Sequence, residues 1–277
     1  MKKTDELSLI PTCKPLQKSA GFSLVELLVT LSIIAILFSV MLPSLRGVRG
    51  AAEKLMCSNN MRSIYYALGE YANDNTHSPL PYSANHEAKL FQETMSLTAM
   101  NPDEGPNLQW DGLGLLWRSK NMSHYLDNCK CLYCPSHHGA HQYQKYQSVL
   151  NPNEVSNEAA SPFASNRYDL APVTKSHIYS NYQYAGGVDP QTKKRISFAS
   201  SNQQNTVLLS DGMRTMEDFN HTIGGNTLCA SGEIKWFSLK RTNGKINGTL
   251  PSGIISSNEQ ESIFSFLWTS IQTEVTR

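Results

Sequence analysis

The sequence predicts an α+β fold: a long N-terminal helix, half of it suited to a membrane and half amphipathic, carrying a head built on an antiparallel β-sheet. Three observations carry this prediction. Residues 22–42 are an almost unbroken apolar run with one carboxylate, Glu26. Residues 61–72 then bring apolar side chains back at three- and four-residue spacing. Late in the chain, short β-type runs alternate with glycine-bearing turns.

A helix rises about 1.5 Å per residue, so the apolar run is long enough for a hydrocarbon core of roughly 30 Å. An acid at that depth is costly and asks for a functional reason. The residues before it are polar, with Lys2, Lys3, Lys14 and Lys18 against Asp5 and Glu6. A secretory signal places its cleavage site after the apolar stretch. Here the order is reversed: a polar segment (1–21) precedes the apolar one (22–45), and the rest of the chain (46–277) follows. Basic residues lie on both sides of the run, with Arg46, Arg49, Lys54 and Arg62 beyond it, so charge counting sets no orientation.

Pro43 follows the run; proline removes one helical hydrogen bond and bends the axis. The helix then resumes through about Asn73. Met61, Ile64, Tyr65, Leu68, Tyr71 and Ala72 define one stripe, which Val48, Ala52 and Leu55 extend backwards. Turn formers and Pro79 end it.

Gly21-Phe22-Ser23-Leu24-Val25-Glu26 resembles the cleavage and methylation site of type IV pilins and of the pseudopilins of type II secretion. The resemblance implies a pilin-like fold and processing by prepilin peptidase, which cuts between Gly21 and Phe22 and methylates the new amino group on Phe22. It implies that Glu26 pairs with a neighbouring subunit's terminal amine. Each charge is expensive in lipid, and pairing offsets both costs and fixes the stagger. Pro43 fits the same pattern, in which the first helix bends near the membrane face. Cys57-Ser58-Asn59-Asn60-Met61-Arg62, with Tyr71 and Pro79-Leu80-Pro81 after it, resembles the protein G-like set, which carries a Cys-x-Asn-Asn-Leu-Lys-type helix here. Met61-Arg62 departs from it conservatively.

The middle of the chain is poorly periodic, and residues 151–161 read as an exposed loop. Strands are expected at 181–184, 196–200 and 206–210. Residues 227–230 and 233–237 read as a hairpin, with Gly232 supplying a positive φ. Ser257 with Gln260 suggests a capping box for a closing helix whose apolar face is Ile263, Phe264, Leu267, Trp268 and Ile271. His221, nine residues and then Ser231-Gly232 resemble a pilin-type element of His, nine residues and Asp-Gly. Ser231 stands where that element has Asp; as a turn residue it is an acceptable substitute. His221 with Gly224, Gly225 and Asn226 is expected to brace the hairpin.

Six cysteines occur, and Cys13 lies in the leader. Cys129, Cys131 and Cys134 run into His137, His138 and His141. Thiolates and imidazoles at this spacing can hold zinc, with Cys131, Cys134, His137 and His141 as the ligand set. A disulfide is the other reading. Cys134-Pro135-Ser136 resembles the protein G-like families, in which a loop cysteine meets the one on the first helix; that resemblance implies Cys57–Cys134. Such a bridge closes a long loop, worth about 4 kcal/mol in the chain-entropy picture.

Net charge is +1 overall and +2 within the leader, so the rest is about neutral. No basic stripe marks a nucleic-acid partner. Gly-x-Ser-x-Gly, the phosphate-binding loop and His-Glu-x-x-His are all missing from the sequence, and no enzyme is expected. The four tryptophans suit core or interface better than a sugar platform. The resemblance implies a structural subunit of a type II secretion pseudopilus or type IV pilus-like filament. It places the chain as a single-pass protein of the bacterial inner membrane, its head in the periplasm or in an assembled filament. The implied partners are prepilin peptidase, other pilin-like subunits and an inner-membrane assembly platform. The rival expectation is an envelope protein anchored by the same N-terminus, binding a ligand or adhering through its head; the long irregular middle favours it.

Overall fold

The computed structural model describes residues 21–75, 79–100, 108–117, 125–150, 177–189, 192–198, 203–221, 223–239 and 245–276. Residues 1–20 of the expected leader, the expected loop at 151–161 and the last two residues of the expected 196–200 strand lie outside them. The chain forms two compact units, residues 1–48 and 49–277.

Helix α1 (Leu24–Asp74) begins in the first unit and is helical throughout, Pro43 included. Its stretch Leu24–Leu42 has a mean hydropathy of 2.5 and buries nothing, so it is long and apolar enough to cross a membrane. The hydroxyls of Thr30, Ser32 and Ser39 donate back to the carbonyls of Leu27, Leu28 and Ile36 at 2.9, 2.8 and 2.7 Å. These local bonds leave no hydroxyl proton unsatisfied on an apolar surface.

The second unit is built on a four-stranded antiparallel sheet. Before it, β1 (Thr98–Met100) and β2 (Leu108–Trp110) pair in a separate antiparallel ribbon. The main sheet runs in chain order: β3 (Tyr182–Tyr184), β4 (Val207–Asp211), β5 (Gly224–Cys229) and β6 (Ile234–Ser238). One face of it packs on α1, where Cys57, Met61, Ile64, Leu68 and Tyr71 join Tyr182, Tyr184, Leu209 and Leu228. The other face is covered by α6 (Ser257–Thr276), whose Phe264, Leu267, Trp268 and Ile271 join Val207, Cys229 and Phe237. Leu228 and Cys229 point into different clusters, as the two-residue period of a strand requires. With both faces covered, every residue of β4 and β5 is buried. This is the α+β arrangement of a long N-terminal helix and antiparallel strands, consistent with a pilin-like fold.

Short helices fill the connections: α2 (Ala84–Glu87), α3 (Gly114–Trp117), α4 (Tyr143–Leu150) and α5 (Lys245–Thr249), with 3-10 turns at Phe91–Met95 and Cys129–Leu132. Trp110 and Trp268 belong to the two apolar clusters.

Three local expectations need correction. The buried stripe of α1 starts at Cys57; Val48, Ala52 and Leu55 are exposed. Apolar spacing marks a face, but not which partner covers it. The cap of α6 sits one residue earlier than expected: the Glu259 carboxylate accepts from Ser256 N and Ser256 Oγ at 3.2 and 2.6 Å. Gln260 is buried and ties segments together, accepting from Gln92 N at 2.9 Å and donating to Ile255 O at 3.0 Å. Residues 196–198 form no strand; beside them Arg195 and Val188 pair as an isolated bridge. The ribbon of β1 and β2 was not expected, because strands of three residues carry too little periodicity to stand out.

The hairpin between β5 and β6 turns on Gly232, whose φ is +84°. A Cβ there would come within 2.7 Å of the Tyr65 ring. Ser231 acts as a turn residue, its Oγ accepting from Glu233 N at 3.3 Å. Gly232→Ala should therefore lower stability by at least about 1–2 kcal/mol, the left-handed backbone cost alone. Ser231→Asp should stay within about 0.5 kcal/mol of the parent. Urea midpoints of the full chain in detergent distinguish the two.

Candidate functional site

The first site lies at the start of α1. Ser23 N donates to Glu26 Oε2 at 2.9 Å, and Ser23 O accepts from Leu27 N at 3.2 Å. Ser23 is thus the N-cap and Glu26 the third helical residue, the reaching-back half of a capping box. Unpaired N–H groups at a helix start favour negative charge. The motif Ser23-Leu24-Val25-Glu26 was legible as a capping box and was missed, because Glu26 was read only for its partner in another subunit. Phe22 is exposed. A Cβ on Gly21 would meet nothing within 4 Å among the described residues, so packing there does not demand glycine.

The second site lies in the head. Cys57 on α1 is joined by a disulfide to Cys134, with Cα atoms 5.2 Å apart and a sequence separation of 77. Asn60 Nδ2, one turn on, donates to Tyr133 O at 2.9 Å. Glu53, one turn back, accepts from Ser136 Oγ at 3.2 Å. Residues 53, 57 and 60 share one face of the helix, so Cys57 and Asn60 of the Cys-Ser-Asn-Asn motif grip adjacent residues of one loop.

Asn181 anchors that loop from the sheet side. Its Oδ1 accepts from Cys134 N at 3.1 Å, its Nδ2 donates to His141 O at 2.8 Å, and its backbone N donates to Leu132 O at 2.9 Å. Sequence reading took Asn181 only for the start of a strand. A lone Asn carries no signal of such a role.

The histidines of the loop serve this framework. His137 Nδ1 bonds Asn220 Oδ1 at 2.9 Å, and His141 Nδ1 bonds the Tyr146 hydroxyl at 2.6 Å. Burial lowers the pKa of His137 and pushes His141 down to about 4. Arg214 completes the network, reaching Glu93 at 3.4 Å and Asp218 at 3.6 Å and lying over the Tyr179 ring.

The expected zinc set of Cys131, Cys134, His137 and His141 is not brought together. Cys134 is in the disulfide, and His137 and His141 are held by Asn220 and Tyr146. Burial pushes the Cys131 thiol up to about 12. Among the described residues, the group that meets is Cys57, Cys134, Asp211 and His221, with candidate donor atoms all within 4.8 Å of one another. His221 Nε2 stands 3.5 Å from Asp211 Oδ2 and 3.7 Å from Cys134 Sγ. Burial raises the pKa of Asp211 and lowers that of His221, disfavouring the charged form of each. The side chain that braces β5 is Asp211, which accepts from Asn226 N and Asn226 Nδ2 at 2.5 and 3.2 Å. His221 instead lies edge-on to Trp236, which also carries Lys54 Nζ 3.5 Å above its ring.

Residues 16–42 match the family model described as the prokaryotic N-terminal methylation motif. The match supports a type IV pilin-like family. With it come processing by prepilin peptidase and pilin-like assembly, which the motif implies, and an apolar helix consistent with inner-membrane anchoring. No curated protein and no solved structure was found to match the chain.

Two outcomes are expected. Cys57→Ser should cost about 4 kcal/mol, the loop-closure value for a bridge of this span, read as a fall in urea midpoint that reductant reproduces in the parent. Stability should also fall as pH drops from about 6.5 towards 4. Desolvation pushes the pKa values of half-buried His86 and buried His141 down to about 4, and those of His137 and His221 are lowered, so the unfolded chain takes up protons that the folded one refuses. The raised carboxyls of Asp111 and Asp211 oppose this at the acid end. Unfolding free energies from urea titrations at pH 7.5 and 5.0 should differ by on the order of 1 kcal/mol for each of His86 and His141, with His137 and His221 adding in the same direction.

Proposed function

We propose that this chain is a structural subunit of a type II secretion pseudopilus or a type IV pilus-like filament, and not an enzyme. The observation that carries the reading is Glu26, the single carboxylate of a 19-residue span of mean hydropathy 2.5, inside a matched methylation motif. In this reading residues 1–21 leave as a leader, 22–45 enter the membrane and then the filament core, and 46–277 form the head. Prepilin peptidase cuts after Gly21 and methylates the amine of Phe22. That amine meets Glu26 of the neighbouring subunit, an inner-membrane platform adds subunits in turn, and Pro43 accommodates the bend between membrane and filament. A carboxylate has acceptor capacity for several donors, so the bond from Ser23 N leaves room for the amine.

The outward apolar residues of α1 beyond the span support packing against other subunits. Val48, Leu55, Met56 and Tyr66 are all more than half exposed. Such a row belongs in an interface between helices.

The test is the mature terminus and the Glu26→Ala variant. Mass spectrometry should find a polypeptide beginning with N-methylated Phe22. Glu26→Ala should still be cut but fall at least roughly tenfold in the sheared filament fraction, since an unmatched charge in a desolvated setting costs about 3–5 kcal/mol. A different terminus, or undiminished assembly of the variant, defeats the reading.

A further inference from the structure

The disulfide has unusual neighbours for a structural bridge. The sulfurs of Cys57 and Cys134, a carboxylate oxygen of Asp211 and a ring nitrogen of His221 lie within 4.8 Å of one another, and all four residues are buried. Apolar packing would serve a bridge equally well. A carboxyl and an imidazole at its edge carry a desolvation cost that a bound cation would offset.

The distances fit a particular geometry. In a tetrahedral zinc site, ordinary zinc–ligand bond lengths give nitrogen–oxygen edges of about 3.4 Å and nitrogen–sulfur edges of about 3.6 Å. His221 Nε2 is 3.5 Å from Asp211 Oδ2 and 3.7 Å from Cys134 Sγ. The edge that departs from the tetrahedron is sulfur to sulfur, because the two atoms are bonded; in a zinc site they stand about 3.8 Å apart. We infer that reduction of Cys57–Cys134 converts this cluster into a zinc site with Cys57, Cys134, Asp211 and His221 as ligands.

The surroundings suit that role. Asp211 is oriented by three donors: Asn220 Nδ2 on Oδ1 at 3.0 Å, and Asn226 N and Nδ2 on Oδ2 at 2.5 and 3.2 Å. Outer contacts of this kind fix ligand direction in metal sites. The ligands come from α1, the loop after the 3-10 turn, the end of β4 and the approach to β5, so the cation would cross-link the elements that the disulfide links. Two thiolates and one carboxylate around a divalent ion leave one negative charge, and Lys54 lies beside Trp236 next to His221.

The chemistry balances with a dithiol as reductant. Two electrons and two protons pass from the dithiol to the bridge; the sulfur–sulfur bond breaks, two thiols form, and the reductant closes to its own disulfide. Zinc then displaces both thiol protons to solvent. Re-oxidation by a small-molecule disulfide joins the sulfurs, passes their two electrons to that disulfide, which leaves as two thiols after taking two protons from solvent, and releases the ion. The site is independent of filament assembly.

The test uses the full chain in detergent micelles, oxidised and reduced, with the dithiol removed and oxygen excluded. Reduced protein should bind one cobalt ion with tetrahedral d–d and thiolate charge-transfer absorption, and zinc should displace it. Oxidised protein should show neither band. His221→Ala and Asp211→Ala should each weaken zinc binding at least about tenfold, whereas Cys131→Ser should leave it unchanged. Circular dichroism reports whether each form is folded. The inference is overturned by a reduced chain that gives no cobalt bands, by one that unfolds and is not refolded by zinc, or by binding lost in Cys131→Ser but kept in His221→Ala.

Discussion

The tie between one face of α1 and the loop at residues 133–136 is the constraint on which the head depends. Among its described residues, the middle of the chain has few regular elements: two three-residue strands, short helices and turns. Such a segment cannot bury its backbone polar groups in ladders, so it must find partners elsewhere. It finds them in Asn60 and Asn181, which hold the carbonyl of Tyr133 and the amide of Cys134, while Asn220 holds the side-chain ring of His137. The disulfide makes the same junction covalent. Asp211 and Asn220 then carry the junction into β4 and β5, so helix, loop and sheet share one buried polar centre.

The second helical layer extends this scheme. β4 and β5 are buried along their whole length because α6 closes the face that α1 leaves open. Gln92 and Gln260 stitch that layer to the turn at Phe91–Met95. Gln92 donates from its backbone N to Gln260 and from its side chain to the carbonyls of Arg214 and Gly253. Each is a buried amide with its partners in place, the condition under which a polar core residue rigidifies a fold.

Legibility in the sequence followed range. Features set by neighbours along the chain were readable: the apolar span, the end of α1 near Asn73, the hairpin around Gly232, and α6 with its apolar face. Features set by distant residues were not. Val48 and Leu55 have the spacing of Met61 and Leu68, yet only the latter pair is covered. His137 and His141 have the spacing of metal ligands, yet Asn220 and Tyr146 occupy them. Cys57 could be matched to Cys134 only through a resemblance, since five cysteines beyond the leader allow many pairings. Asp211 and Asn181 gave no local sign of their importance, because a buried acid or amide draws its role from the groups folded around it.

The bond from Ser23 N to the Glu26 carboxylate has a consequence for how such a chain would wait in a bilayer. An acid in hydrocarbon ordinarily stays protonated or drags water inward. Here the first turn of the chain's own helix supplies a donor and the positive end of a dipole. The side chain is therefore partly solvated by its own backbone before any neighbour arrives. In the proposed filament, docking of an incoming amine would then exchange one host for a stronger one rather than rescue a bare ion, so that a subunit could be stored, and released again, without a prohibitive barrier.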